Sequence, residues 1–225
     1  GPFLSPFSPS ELTEQLRLSP FWSETTSSLH FLGTDDMGRD TLTRLLHGAR
    51  LSLLIGFLVV LVSAGIGTML GLLAGYYGGR TDKLIMRAMD VLMALPSILL
   101  AIVIVSVLGP GLINAILAVG VVAIPSFTRI VRAGVIEEKQ KDYIMAAKIF
   151  GASDFRVMFL EILPNCSAPL IIQCTLGFSD GILNAAALGF LGLGAQPPTA
   201  EWGIMLSDAR PFIESNPWLV TLPGI

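Results

Sequence analysis

The chain has 225 residues, of which 52% are hydrophobic and only 14% charged, with a net charge of −3. A soluble domain carries about 25% charged residues, so this balance excludes an ordinary soluble fold and places the chain among all-α, polytopic membrane proteins. Nothing in a net charge of −3 suggests nucleic-acid binding, and none is expected.

The first thirty residues are rich in Pro and Ser and lack the cationic start and apolar core of a cleavable signal. Residues 1–48 read as a segment preceding the membrane core, and 49–225 as the core itself. The sequence starts without Met and stops just as a new apolar stretch opens at Pro217, so it is expected to be incomplete at both ends. His30 and His47 have no convincing metal-ligand spacing around them and are expected to be solvated or interfacial, with no metal bound.

A spanning helix needs about 20 mostly apolar residues. Four such stretches follow in order: Leu51 to Tyr77, Asp90 to Leu108, Leu112 to Ile130, and Pro164 to Phe190, with a fifth beginning near Pro217. Gly67, Gly71 and Gly75 repeat every four residues in the first span, a smooth stripe that lets a neighbouring helix approach closely. Pro96 and Pro125 interrupt the second and third spans, and each is expected to kink its helix. Asp90 stands one turn from Arg87, the spacing of a local ion pair. Asp180 falls near the middle of the fourth span, with Asn184 one turn further on. An ionisable group at that depth faces a water-filled path or bonds another helix, and both readings stay open. Cys166 and Cys174 are eight apart, roughly 12 Å along a helix, too far for a disulfide.

Loop cations set the orientation. Nine Lys and Arg residues, from Arg80 to Arg156, lie in the links after the first and third spans. That side is expected to be cytoplasmic, which makes 1–48 and the Gly/Pro-rich loop 191–216 extracytoplasmic. Arg39, Arg44 and Arg50 oppose this, three against nine. No catalytic motif is present: there is no H-E-x-x-H, no G-x-S-x-G and no phosphate-binding loop, since no Lys follows a Gly. No enzymatic activity and no cofactor are expected of this chain.

The cytoplasmic link 137–165 contains "DYIMAAKIFGASDFRVMFLEILPN". It reads as a short helix from Asp142, closed at Gly151 by a left-handed residue, and a second helix capped by Ser153. Pro164 suits the first turn of the next span. Apolar Met145, Ile149 and Phe150 on such a knob point to a protein partner.

"AA-x-x-x-G" at Ala146, Ala147 and Gly151, followed by Leu163-Pro164, resembles the cytoplasmic EAA loop of bacterial ABC importer permeases. The family pattern begins with Glu where Met145 stands and has an apolar residue near Glu161. "FLGTDDMGRDTLTRLLHGAR" (31–50) and "ALGFLGLGAQPPTAEWGIML" (187–206) are similar to segments of the C-type subunit of peptide and nickel importers. The resemblance covers nearly the whole chain, and the family's first transmembrane helix and most of its last are expected to be missing from it. It implies the type I importer permease fold, with the EAA helix docked on an ATPase. Met145, Ala146, Ala147, Phe150, Gly151, Ala152 and Asp154 are then the coupling residues, and Asp180 and Asn184 the candidate path residues. Implied partners are a second permease subunit forming a heterodimer, two ATPase subunits that hold ATP and magnesium, an extracytoplasmic binding protein, and membrane lipid. The implied cargo is dipeptides or short peptides. Nickel chelates, glutathione, oligopeptides and antimicrobial peptides are alternatives within the class, and an ion-driven secondary transporter is one outside it.

Overall fold

The computed structural model describes residues 7–22 and 30–225; positions 1–6 and 23–29 of the expected leading segment lie outside the described residues. The described part is helical, with a single isolated β-bridge, Thr34 to Asp40. In chain order the helices are α1 (Thr41–Tyr77), α2 (Gly79–Met93), α3 (Ser97–Leu108), α4 (Leu112–Glu138), α5 (Asp142–Ile149), α6 (Asp154–Arg156), α7 (Leu163–Asn165), α8 (Ser167–Phe190), α9 (Trp202–Ala209) and α10 (Trp218–Gly224). A π-helical turn, Val157–Ile162, joins α6 to α7, and a 3₁₀ turn, Arg210–Phe212, follows α9.

Among the described residues α1, α4 and α8 are long and apolar enough to cross a membrane. The expected second span is different. α2 and α3 are bent by 92° at residues 94–96 and make a fourth span only if counted together. Pro96 explains the break, since it donates no N–H and disfavours helix in the residue before it. Pro125, by contrast, lies inside a continuous α4. α1 starts ten residues before the expected Leu51, so the division at 48/49 falls within a helix. Asp40 sets that start: its Oδ2 accepts from the Thr43 N–H at 2.8 Å and the Thr43 hydroxyl at 2.6 Å, as an N-cap should.

The chain forms two compact units. One holds the described residues up to Gly56 with Ile102–Ile116 and Ile182–Ile225. Its polar centre is a buried ionic cluster. Arg39 Nε stands 2.6 Å from Asp35 Oδ2 and Arg44 Nε 3.4 Å from the same oxygen. Asp36 and Asp208 lie 3.7 and 3.6 Å from Arg39 Nη2. Burial pushes the Asp208 carboxyl above its ordinary range, against the pull of Arg39. In the same unit Glu201 is buried and caps α9, accepting from Gly203 N at 2.8 Å and Ile204 N at 3.1 Å. Its burial likewise raises its pKa, while those N–H donors act the other way. The loop 191–216 thus contains a capped helix that a Gly/Pro-rich reading did not foresee. His30 is buried rather than solvated, with Nδ1 3.0 Å from Asp40 Oδ1.

The other unit comprises Phe57–Ala101 and Leu117–Gly181. Here the glycine stripe of α1 meets α4 backbone to backbone. A Cβ on Gly67 would lie 2.5 Å from Phe127 Cβ, on Gly71 2.7 Å from Val131 Cβ, and on Gly75 2.7 Å from Val135 Cβ. Close helix packing is therefore what the stripe does. Asp90 pairs not with Arg87 but with Arg129 of α4, at 2.7 Å. Asp82 takes both arms of Arg132, at 2.5 and 2.6 Å. Both carboxylates thus bridge to α4, and Arg87 is left exposed.

Candidate functional site

The site is built on α5 and the turn that follows it. Asp142 stands in the first turn of α5 and Lys148 in the last, matching the helix dipole at both ends. Gly151, at φ +84°, closes the helix. Gly151 N donates to Lys148 O and Ala152 N to Ala147 O, both at 3.0 Å. That pair of bonds is a Schellman motif, which needs a left-handed residue where Gly151 stands. The spacing of Ala147 and Gly151 in the sequence is the spacing of this corner. Ser153 then caps α6, accepting from Arg156 N at 3.4 Å.

One face of the knob is anchored. Ile144, Val157, Met158, Ile162 and Cys166 pack in one buried cluster with Leu72 and Tyr76 of α1 and Val131 and Val135 of α4. Val157 and Ile162 are five apart, which places them on one face of a π-helical turn and on different faces of an α-helix. Pro164, two residues beyond, supplies no N–H to the turns before it. Pro164 thus belongs to α7, and the long helix α8 starts only at Ser167. Cys166 lies before α8, buried and free, and its burial raises the thiol pKa.

Polar ties complete the anchor. Tyr76 donates its hydroxyl to Asp154 Oδ1 at 2.5 Å, and Lys148 Nζ stands 4.6 Å over the Tyr76 ring, a cation–π contact. Lys139 Nζ donates to Gly75 O and Tyr76 O, each at 3.0 Å. It thereby satisfies carbonyls that the end of α1 leaves open. Tyr143 donates to Glu138 Oε1 at 2.5 Å and accepts from Asn165 Nδ2 at 3.1 Å. Its phenol is pushed up to about 12, by burial first and by the Glu138 carboxylate second.

The other face is open. Phe150 is 90% exposed and Ile149 77%, and Met145, Phe155 and Leu160 are also exposed. A shallow hollow beside Phe150 is lined by Ala147, Gly151, Ala152, Arg156 and Glu161. Contiguous apolar surface on a short rigid knob marks a protein-interaction site.

The structure therefore brings six of the seven expected coupling residues to one corner: Met145 and Ala146 exposed, with Ala147, Phe150, Gly151 and Ala152 around the Schellman turn. Asp154 belongs instead to the anchor. Tyr76, Lys139 and Ile144 were not singled out from sequence, and only the π-turn spacing of Val157 and Ile162 could have flagged that part of the cluster. Asp180 and Asn184 both lie in α8; Asp180 is exposed and belongs to the unit of the knob, Asn184 to the other.

Residues 67–224 match the family described as "Binding-protein-dependent transport system inner membrane component". The dipeptide transport system permease protein of Haemophilus influenzae is 51% identical over 100% of this chain and 77% of its own length. The di/tripeptide transport system permease protein of Pseudomonas aeruginosa is 53% identical over 100% and 75%. Among solved structures, an inward-facing form of the MetNI methionine ABC transporter aligns with a TM-score of 0.65 at 19% identity, covering 80% of this chain and 86% of that one. That likeness is one of fold.

Proposed function

We propose that this chain, which belongs to the family of binding-protein-dependent transport system inner membrane components, passes dipeptides or short peptides through the bacterial inner membrane as one half of a two-subunit pore. It is a multi-pass permease with the ABC importer fold. The cargo reading is supported by relatives above 50% identity that are named dipeptide and di/tripeptide permeases. The partner reading comprises a second permease subunit, two ATPase subunits carrying ATP and magnesium, and an extracytoplasmic binding protein. One observation carries it: an apolar knob whose tip is open and whose base is fixed to the ends of α1 and α4. An ATPase that closes on the tip would move both helices as one body, a rigid-body switch. The chain itself hydrolyses nothing on this reading.

The orientation is testable directly. A cysteine at Lys141 is expected to react with an impermeant thiol reagent only from the cytoplasm, and one at Thr199 only from outside. The reverse labelling pattern sinks the ATPase-docking reading.

Transport itself is tested with the assembled complex in vesicles. Uptake of a free dipeptide is expected to require ATP and to persist without a proton gradient; dependence on the gradient alone overturns the proposal. Asp180 supplies a second arm. A carboxylate on the path attracts the α-ammonium group of a peptide, so Asp180→Asn is expected to slow the free dipeptide by roughly tenfold and an N-acetylated one much less. Equal slowing of both removes Asp180 from cargo recognition.

A further inference from the structure

We propose that the exposed face of α2 binds the headgroups of anionic phospholipids. This rests on the membrane residence of the chain, and neither on its cargo nor on its orientation.

α2 follows directly on α1, which ends at Tyr77, and bends by 92° into α3. A helix leaving the end of a membrane-crossing helix and turning in this way lies where hydrocarbon gives way to headgroups. Exposed Tyr77 is the aromatic residue that such a boundary favours. The inner face of α2 is occupied: Met89 is buried, and Asp82 and Asp90 are bound to Arg132 and Arg129.

The outer face alternates cation and apolar residue along one line. Arg80, Leu84, Arg87 and Val91 follow at i, i+4, i+7 and i+11, with Lys83 beside them, and all five are exposed. Leu84 is 75% and Val91 63% exposed, far more than water tolerates cheaply on a helix with its other side packed. Among the described residues Arg80, Lys83 and Arg87 form no ion pair, because both acids of α2 are bound to α4. The face therefore combines two exposed apolar side chains with, among the described residues, three positive charges outside any ion pair. An acyl boundary covers Leu84 and Val91, and the long stems of Arg80 and Arg87 run over them while their guanidinium groups reach phosphate. Phosphatidylcholine offers the same apolar layer without net negative charge, so charge complementarity selects an anionic lipid. A protein partner on this face would need a matching row of acids.

The test uses the assembled transporter in mild detergent, titrated separately with phosphatidylglycerol and phosphatidylcholine, with bound lipid counted by native mass spectrometry. Wild type is expected to prefer phosphatidylglycerol. Arg80→Gln, Lys83→Gln and Arg87→Gln together are expected to weaken that lipid by about fivefold per cation and to leave phosphatidylcholine unchanged. Arg80→Lys with Arg87→Lys keeps the charge and the preference. If the triple variant does not assemble, the single variants R80Q and R87Q carry the same measurement, each with about a fivefold loss. Assembled variants that retain the full preference overturn the proposal. So do single variants that fail to pair with the second permease subunit, because the face would then be covered by protein.

Discussion

Gly151→Val is expected to abolish the substrate-stimulated part of ATP hydrolysis while the permease pair still assembles. A Cβ on Gly151 would meet no atom within 4 Å, so packing does not oppose the substitution. The whole effect comes from φ +84°. A β-branched residue in that region costs about 1–3 kcal/mol, enough to depopulate the corner by roughly one to two orders of magnitude. The bonds from Gly151 N to Lys148 O and from Ala152 N to Ala147 O are then lost together, because both depend on the left-handed turn. Phe150 and Ala152 lose their fixed relation, and with it the surface presented to the ATPase. The buried cluster around Ile144 and Tyr76 involves neither bond and holds the base in place. Gly151→Asn is the control, since Asn enters the left-handed region readily, and it is expected to keep most of the coupling. Full coupling in the valine variant, measured as substrate-stimulated ATPase of the reconstituted complex, shows that the tip does not act through this turn.

Asp35→Ala is expected to destabilise its own unit by about 3–5 kcal/mol, the usual cost of stranding a buried charge. Asp35 Oδ2 serves Arg39 at 2.6 Å and Arg44 at 3.4 Å, and the two arginine side chains are only 4% and 2% exposed. Its Oδ1 also accepts from Arg39 N at 2.8 Å and Met37 N at 3.0 Å. Without it, the carboxylates that remain beside Arg39 among the described residues are Asp36 and Asp208, both beyond 3.5 Å. Asp35→Asn keeps an oxygen for the two backbone donors and should lose less, so the gap between the variants isolates the charge. Glu14→Ala, at an exposed site, is the reference and should change little. Thermal unfolding and limited proteolysis within residues 30–50 read the difference. An Asp35→Ala variant as stable as the reference contradicts the strong pairing inferred from this geometry.

What the sequence determined by itself was local or periodic. A bilayer demands about twenty apolar residues in helical form, so α1, α4 and α8 were legible from composition, within a few turns at their ends. The glycines at 67, 71 and 75 announce a close helix contact because the absence of Cβ along one stripe lets another backbone approach. The corner at Gly151 and the cap at Ser153 involve bonds that span at most five residues, and both were read correctly. The tertiary structure alone decided which partners lie far apart in the chain. Tyr76 is 78 residues from Asp154 and Asp90 is 39 from Arg129; spacing along the sequence offered Arg87 to Asp90, and the way α2 packs withdrew it. Arg39 and Arg44 entered the sequence reading only as cations opposing the orientation, and folding buries them against Asp35. The break at Pro96 and the unbroken helix at Pro125 begin from the same residue type. A proline removes one donor and leaves the rest to its surroundings, and those surroundings are set by packing that no short stretch of sequence contains.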